Sequence, residues 1–192
     1  EEIDDNLIQV MKEEPKICHY LDLPIQHAND TILKRMGRRT SKQELIDIVQ
    51  KLRKEIPDIC LRTTLITGFP GETQEQHEEV MEFIDTLEFD RLGAFTYSPE
   101  EDTPAATFED QIDEEVKEDR QQEIAFDKAE DMIGREVLVM IEGKVADENA
   151  YVGRTYRDAP NVDGLIFINT DVELISGDFA KVKVTGALDY DL

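Results

Sequence analysis

The first two thirds of the chain alternate short apolar runs with stretches in which apolar residues recur at helical spacing. Residues 3–13 predict a helix that Pro15 ends, and residues 17–23 (ICHYLDL) predict a strand. Asn29 can cap a short helix stopped by Gly37. Ser41 and Glu44 form a capping box opening a helix to about residue 55, with Leu45, Ile48, Val49 and Leu52 on one face. Residues 59–67 (ICLRTTLIT) predict a second strand. Thr73 and Gln76 open a further helix with Val80, Phe83, Ile84 and Leu87 inward, and residues 91–97 (RLGAFTY) predict a third strand. Asp113 begins a long acidic helix to about residue 132.

This strand–helix–strand order implies an α/β fold with a parallel sheet and right-handed crossovers. Three such units make half of a β/α barrel, with an apolar lumen and two open edges. Near Gly134 the pattern changes to short alternating runs, REVLVMIEG, AYVGRTY, GLIFIN and FAKVKVTGAL, separated by Gly, Asn and Asp. They predict a small antiparallel barrel of about five strands over residues 134–192, with the acidic helix 113–132 as linker. The domains are therefore expected at 1–133 and 134–192. The chain opens at Glu1 and not at Met, which together with the half-barrel count suggests that a front half belongs before it.

In parallel barrels the chemistry gathers where strands end. Three segments have that place: LPIQHAND at 23–30, TGFPGET at 67–73 and YSPEEDTPAA at 97–106. Gly68 and Gly71 would let backbone approach a ligand, and Pro70 stiffens the turn. Alternation puts Arg62, Thr64 and Ile66 on one face of their strand. An arginine there would take an anion such as an amino-acid carboxylate, or pair with a structural carboxylate nearby. Gln26 and His27 end the first strand, and His27 reads as a satisfied hydrogen-bonding residue. Phe95 and Tyr97 could stack on an adenine, although core packing is the simpler reading of their spacing. Glu100, Glu101 and Asp102 read as a solvated loop.

The net charge of −24 disfavours phosphate backbones and suits basic partners. Residues 134–192 hold six basic and eleven acidic side chains, a net of −5, where an RNA-binding barrel would show a basic groove with aromatic platforms. Arg154 and Arg157 could still form a local basic patch. No apolar run is long enough for a membrane span. Cys18 and Cys60 sit in apolar runs and read as buried thiols of a reducing, cytoplasmic compartment. The three histidines are too scattered for a metal site.

YLDLPIQHANDTILKRMGRR at 20–39, LRTTLITGFPGET at 61–73 and FTYSPEEDTPAA at 95–106 together resemble the radical S-adenosylmethionine methylthiotransferases. YVGRTYRDAPNVDGLIFI at 151–168 resembles a TRAM domain. The YLDLPIQH form is similar to the branch that modifies a ribosomal protein. The resemblance implies the C-terminal half of a radical-SAM barrel followed by a TRAM domain. It also implies S-adenosylmethionine and two 4Fe–4S clusters in an intact enzyme. There, a 5′-deoxyadenosyl radical would take hydrogen from the β-carbon of an aspartate in small-subunit ribosomal protein S-twelve, and a methylthio group would be delivered. By this resemblance Arg62 and Thr64 meet the methionine end of the cofactor, Ile66, Gly68 and Phe95 lie near the adenosine, and Gln26 and His27 line the mouth. The protein S-twelve would dock through the acidic TRAM domain. Neither cluster's cysteine motif is present, so the chain alone is expected to be inactive, with no cofactor bound and no catalytic or metal residue of its own. The alternatives are a fragment of a tRNA methylthiotransferase and a non-catalytic acidic module for a basic ribosomal protein.

Overall fold

The computed structural model describes residues 3–124, 132–146 and 149–187. The chain divides into two compact units, Glu1–Phe126 and Asp127–Leu192.

The first unit is a three-stranded parallel sheet, β1 (Tyr20–Gln26), β2 (Cys60–Thr67) and β3 (Arg91–Thr96), with β2 central. Its helices are α1 (Asp5–Glu13), α2 (Asp30–Arg35), α3 (Lys42–Glu55), α4 (Gln74–Leu87) and α5 (Glu114–Ile124). The local signals act as expected. Ser41/Glu44 and Thr73/Gln76 both form reciprocal capping boxes, and Asn29 accepts from the Thr31 and Ile32 N–H groups. Gly37 ends α2 at a φ of 77°, which lets the Arg38 N–H reach back to the Leu33 carbonyl.

β2 shows how the sheet is loaded. Leu61, Thr63, Leu65 and Thr67 are buried, while Arg62, Thr64 and Ile66 are half-buried on the other face. The buried face joins Leu45, Val49 and Leu52 of α3 and Val80, Phe83 and Ile84 of α4 in one core. Each such side chain contributes about 1.5–3 kcal/mol by leaving water. The half-buried face is the one that α3 and α4 leave open, the side on which a site can form.

Three expectations need correction. β1 begins at Tyr20, paired with Cys60, and runs on to Gln26, so Ile17 and Cys18 precede it. Cys18 is exposed and only Cys60 is buried. Pro24 is tolerated inside β1 because this is an edge strand with no neighbour on one side. The acidic helix is not a mere linker either. α5 packs on β2 and β3, and the side chains that it buries are Lys117, Arg120 and Ile124. Residues 125–131 of the expected helix lie outside the described residues.

The second unit is an antiparallel sheet in the order β6 (Ile166–Asn169), β5 (Ala150–Arg154), β4 (Glu136–Lys144), β7 (Phe179–Lys183). About five strands were expected; the described residues hold these four. Val139, Ile141, Tyr151, Ile166 and Ile168 form its core. Gly153 is required by close approach, since a Cβ there would lie 2.5 Å from the Met140 carbonyl oxygen and the Val139 Cγ1. No helix among the described residues is long and apolar enough to cross a membrane.

Candidate functional site

The C-terminal ends of β1 and β2, with the residues after β3, carry the three segments singled out from the sequence. They are held together from behind by a buried polar network. Glu72 is its centre: one carboxylate oxygen accepts from the Gly68 N–H at 2.9 Å and the other from Arg120 Nη1 at 2.9 Å. Arg120 Nη1 also donates to the Glu72 carbonyl at 3.2 Å. His27 Nε2 lies 3.5 Å and His77 Nδ1 3.9 Å from the same carboxylate. His77 Nε2 pairs with Glu123 at 2.8 Å, which ties α4 to α5. All four central side chains are buried, where breaking a charge pair is costly.

Helix α5 completes the frame. Lys117 Nζ donates to the Tyr97 carbonyl and to Glu114, both at 3.0 Å. The Thr67 hydroxyl donates to the Lys117 carbonyl at 3.1 Å, and Gln121 Nε2 donates to the Ala94 carbonyl at 2.7 Å. The stem of Lys117 crosses Gly68, where a Cβ would lie 2.2 Å from its Cγ. Gly71 likewise faces Asp110 and Arg35, and its N–H donates to the Asp110 carbonyl at 2.8 Å. The close approach expected of a ligand at these two glycines is thus made by protein side chains. Arg35 pairs with Asp110 at 2.8 Å and lies over the Phe108 ring. The hydrogen bond from Arg35 holds the Asp110 carboxyl below its ordinary range against a smaller opposing effect of burial.

The open face of the sheet has a different character. Arg62 Nη1 donates to Asp22 at 3.0 Å and to the Thr64 hydroxyl at 2.9 Å. The carboxylate partner raised as one reading of Arg62 is therefore present, and Asp22 is the residue that strand alternation alone did not single out. Gly93 opposite Thr64 leaves room for the guanidinium, since a Cβ there would lie 3.2 Å from Nη2. Phe95, opposite Ile66, is 56% exposed, while Tyr97 is buried against Ile32 and Phe69. Of the two aromatics, Tyr97 is core and Phe95 is not.

Of the residues expected at the mouth, Gln26 is half-buried and His27 is buried, with Nδ1 accepting from the Asn29 N–H at 2.9 Å. Gln26 has a φ of 68°, a backbone conformation that costs a non-glycine residue about 1–2 kcal/mol. His77 and Arg120 were missed by sequence reasoning. His27 and His77 meet at Glu72, whereas His19 stands apart with Asp58. Glu100 and Glu101 are exposed as read. Among the described residues no group of three or more His, Cys, Asp or Glu could hold a metal ion.

Residues 1–84 match the Radical SAM superfamily and residues 133–192 match the TRAM domain. The ribosomal protein uS12 methylthiotransferase RimO of Lachnoclostridium phytofermentans is 61% identical over 100% of this chain and 45% of its own length. The protein of the same name from Desulfitobacterium hafniense is 50% identical over 98% of this chain and 44% of its own. That of Clostridium botulinum strain Langeland is 48% identical over 100% of the chain and 44% of its own. The chain thus spans under half the length of these curated relatives. Among solved structures, the radical SAM enzyme coproporphyrinogen III oxidase (HemN) of Escherichia coli superposes with a TM-score of 0.54 at 22% identity, over 64% of this chain and 28% of that one, a likeness of fold. The chain thus joins a segment that matches the Radical SAM superfamily to one that matches the TRAM domain, and it is similar along its whole length to the RimO proteins.

Proposed function

We propose that this chain forms the cofactor-facing barrel segment and the substrate-docking domain of an enzyme that methylthiolates the β-carbon of an aspartate in ribosomal protein uS12. The observation that carries the reading is the open face of β2 and β3. It gathers a cation, a hydroxyl, a glycine gap and an exposed ring: Arg62, Thr64, Gly93 and Phe95. That set fits S-adenosylmethionine. Arg62 and Thr64 would meet its amino-acid end, with Asp22 beside them for an ammonium group. Ile66 and Phe95 would pack on the adenosine, and Gln26 would stand at the rim. His27 and Gly68 serve by shaping the turn.

S-adenosylmethionine and its iron–sulfur clusters would supply radical chemistry; this chain's residues bind and orient. The two thiols do not fit a cluster. Cys60 is buried in the first position of β2 and Cys18 precedes β1, both at the strand starts and away from the loop ends. The chain alone is expected to be inactive and to bind S-adenosylmethionine weakly. Micromolar binding in calorimetry would contradict that. On this reading the barrel segment is 1–133 and the TRAM domain 134–192, in a cytoplasmic protein.

We further assign uS12 docking to the acidic second unit. Its net charge suits a basic ribosomal protein, and Arg154, one half of the suspected basic patch, pairs with Glu142 at 2.6 Å. Titration of the chain with uS12 and with tRNA across a salt series tests this. Binding of uS12 that weakens steeply with salt, with tRNA ignored, is the expected result. Tight tRNA binding at physiological salt would reverse the substrate assignment.

A further inference from the structure

Gln26 ends β1 in a left-handed conformation, and the His27 N–H donates across it to the Ile25 carbonyl at 2.9 Å. This is a tight three-residue turn of the rarer hand. Among the described residues the other non-glycine residues at positive φ are Glu88, a helix C-cap, and Asp102 and Asn161, whose short polar side chains tolerate that region. Gln26 alone among them closes a strand at the candidate site, where local strain marks a position held for a purpose.

What holds it is Arg38. The turn after Gly37 aims this side chain back at the strand end, where Nε donates to Gln26 Oε1 at 3.0 Å and Nη2 donates to the Pro24 carbonyl at 3.1 Å. A guanidinium carries donors only. The Gln26 amide must therefore turn its oxygen to Arg38, because the flipped amide would set donor against donor and deprive Arg38 Nε of this acceptor. The same constraint turns Nε2 away from Arg38. Nε2 has no hydrogen-bond partner among the described residues.

We propose that Arg38 is a positioning residue that fixes the polarity of Gln26, so that Gln26 donates to its ligand and never accepts from it. The inference rests on the reading that an adenosylated amino acid occupies the strand-end site. The partner of Nε2 is then an acceptor of that molecule, a carboxylate or ribose oxygen or an adenine ring nitrogen. Gln26 thereby selects for an acceptor at that place, which a carboxylate or a freely flipping amide would not do.

The test measures equilibrium binding of S-adenosylmethionine and of S-adenosylhomocysteine, by calorimetry, to a cluster-bearing protein that contains this chain. Melting temperature is recorded in parallel. Gln26→Glu keeps the shape and the contact with Arg38 and removes the donor; it should weaken both ligands about tenfold or more without lowering the melting temperature. Arg38→Met should weaken them roughly threefold to fivefold by freeing the amide, and Arg38→Lys, which restores a donor, should recover most of the loss. A merely structural arginine would move the melting temperature and leave affinity alone. Unchanged affinity in Gln26→Glu, or equal losses in Arg38→Met and Arg38→Lys, overturns the proposal. Failure of the unaltered protein to bind either ligand overturns the cofactor reading itself, a separate result.

Discussion

In the first unit Leu61, Leu65, Val80 and Phe83 are exposed by 2% or less, whereas in the second Phe167, Val172, Ile175 and Phe179 stand between 47% and 68% exposed. The first unit packs a large core under its helices and places charge inside, around Glu72, leaving single apolar side chains such as Val10 and Phe95 exposed. The second buries a small core and keeps apolar side chains outside, with Asp171, Glu173 and Asp178 in the segment that carries Val172 and Ile175. An interior built this way fixes backbone geometry at strand ends. Exposed apolar side chains of this kind would give the docking role proposed above its contact area. The difference separates a unit with a buried polar frame at its strand ends from one that carries apolar side chains on its surface.

The comparison breaks hardest at Glu72. Glu72→Ala would leave Arg120 buried without its carboxylate and should cost about 3–5 kcal/mol, read as a lowered urea midpoint of the first unit by circular dichroism. An unchanged midpoint would mean that the network is not what holds the strand ends. Leu65→Ala should cost about 2–5 kcal/mol in the same unit, because β2 is covered by α3 and α4 and cannot collapse onto the gap. On the second unit, Val172→Ser, Ile175→Ser and Phe179→Ser should each change stability by no more than about 0.5 kcal/mol. On the proposed docking role, together they should weaken uS12 binding about tenfold, as loss of exposed anchors does. Loss of folding in their place would make these residues core and dissolve the contrast.

The smallest expected effect is one of pH. The Asp110 carboxyl is held below its ordinary range by Arg35, so its ion pair adds stability above the unfolded carboxyl's pKa. That stability is lost as pH falls through the depressed folded value. Hydrogen exchange at the Gly71 amide, which donates to the Asp110 carbonyl, should quicken relative to the Leu65 amide only in that acid range. In Asp110→Asn this acid-dependent change should disappear.

Much of the first unit was legible in the chain. Caps act within three or four residues, so Ser41 with Glu44 and Thr73 with Gln76 announce their helices without help from the rest. The alternation in β2 correctly set Arg62, Thr64 and Ile66 apart from the core face. α5 was misjudged for a physical reason. The side chains that it buries include a lysine and an arginine, which helical patterning counts as solvent-facing. The glycines of TGFPGET were correctly marked as points of close approach, but what approaches them is Lys117, Arg35 and Asp110.

By itself the sequence determined the order of elements, the face of each strand and the three segments that meet at the strand ends, because periodicity and capping are local. Only the tertiary structure decided which charge meets which. Asp22 reaches Arg62 across 40 positions and Glu72 reaches Arg120 across 48, distances along the chain at which no local pattern carries information. Buried charges choose partners by geometry and desolvation, and those exist only once the sheet and α5 have come together.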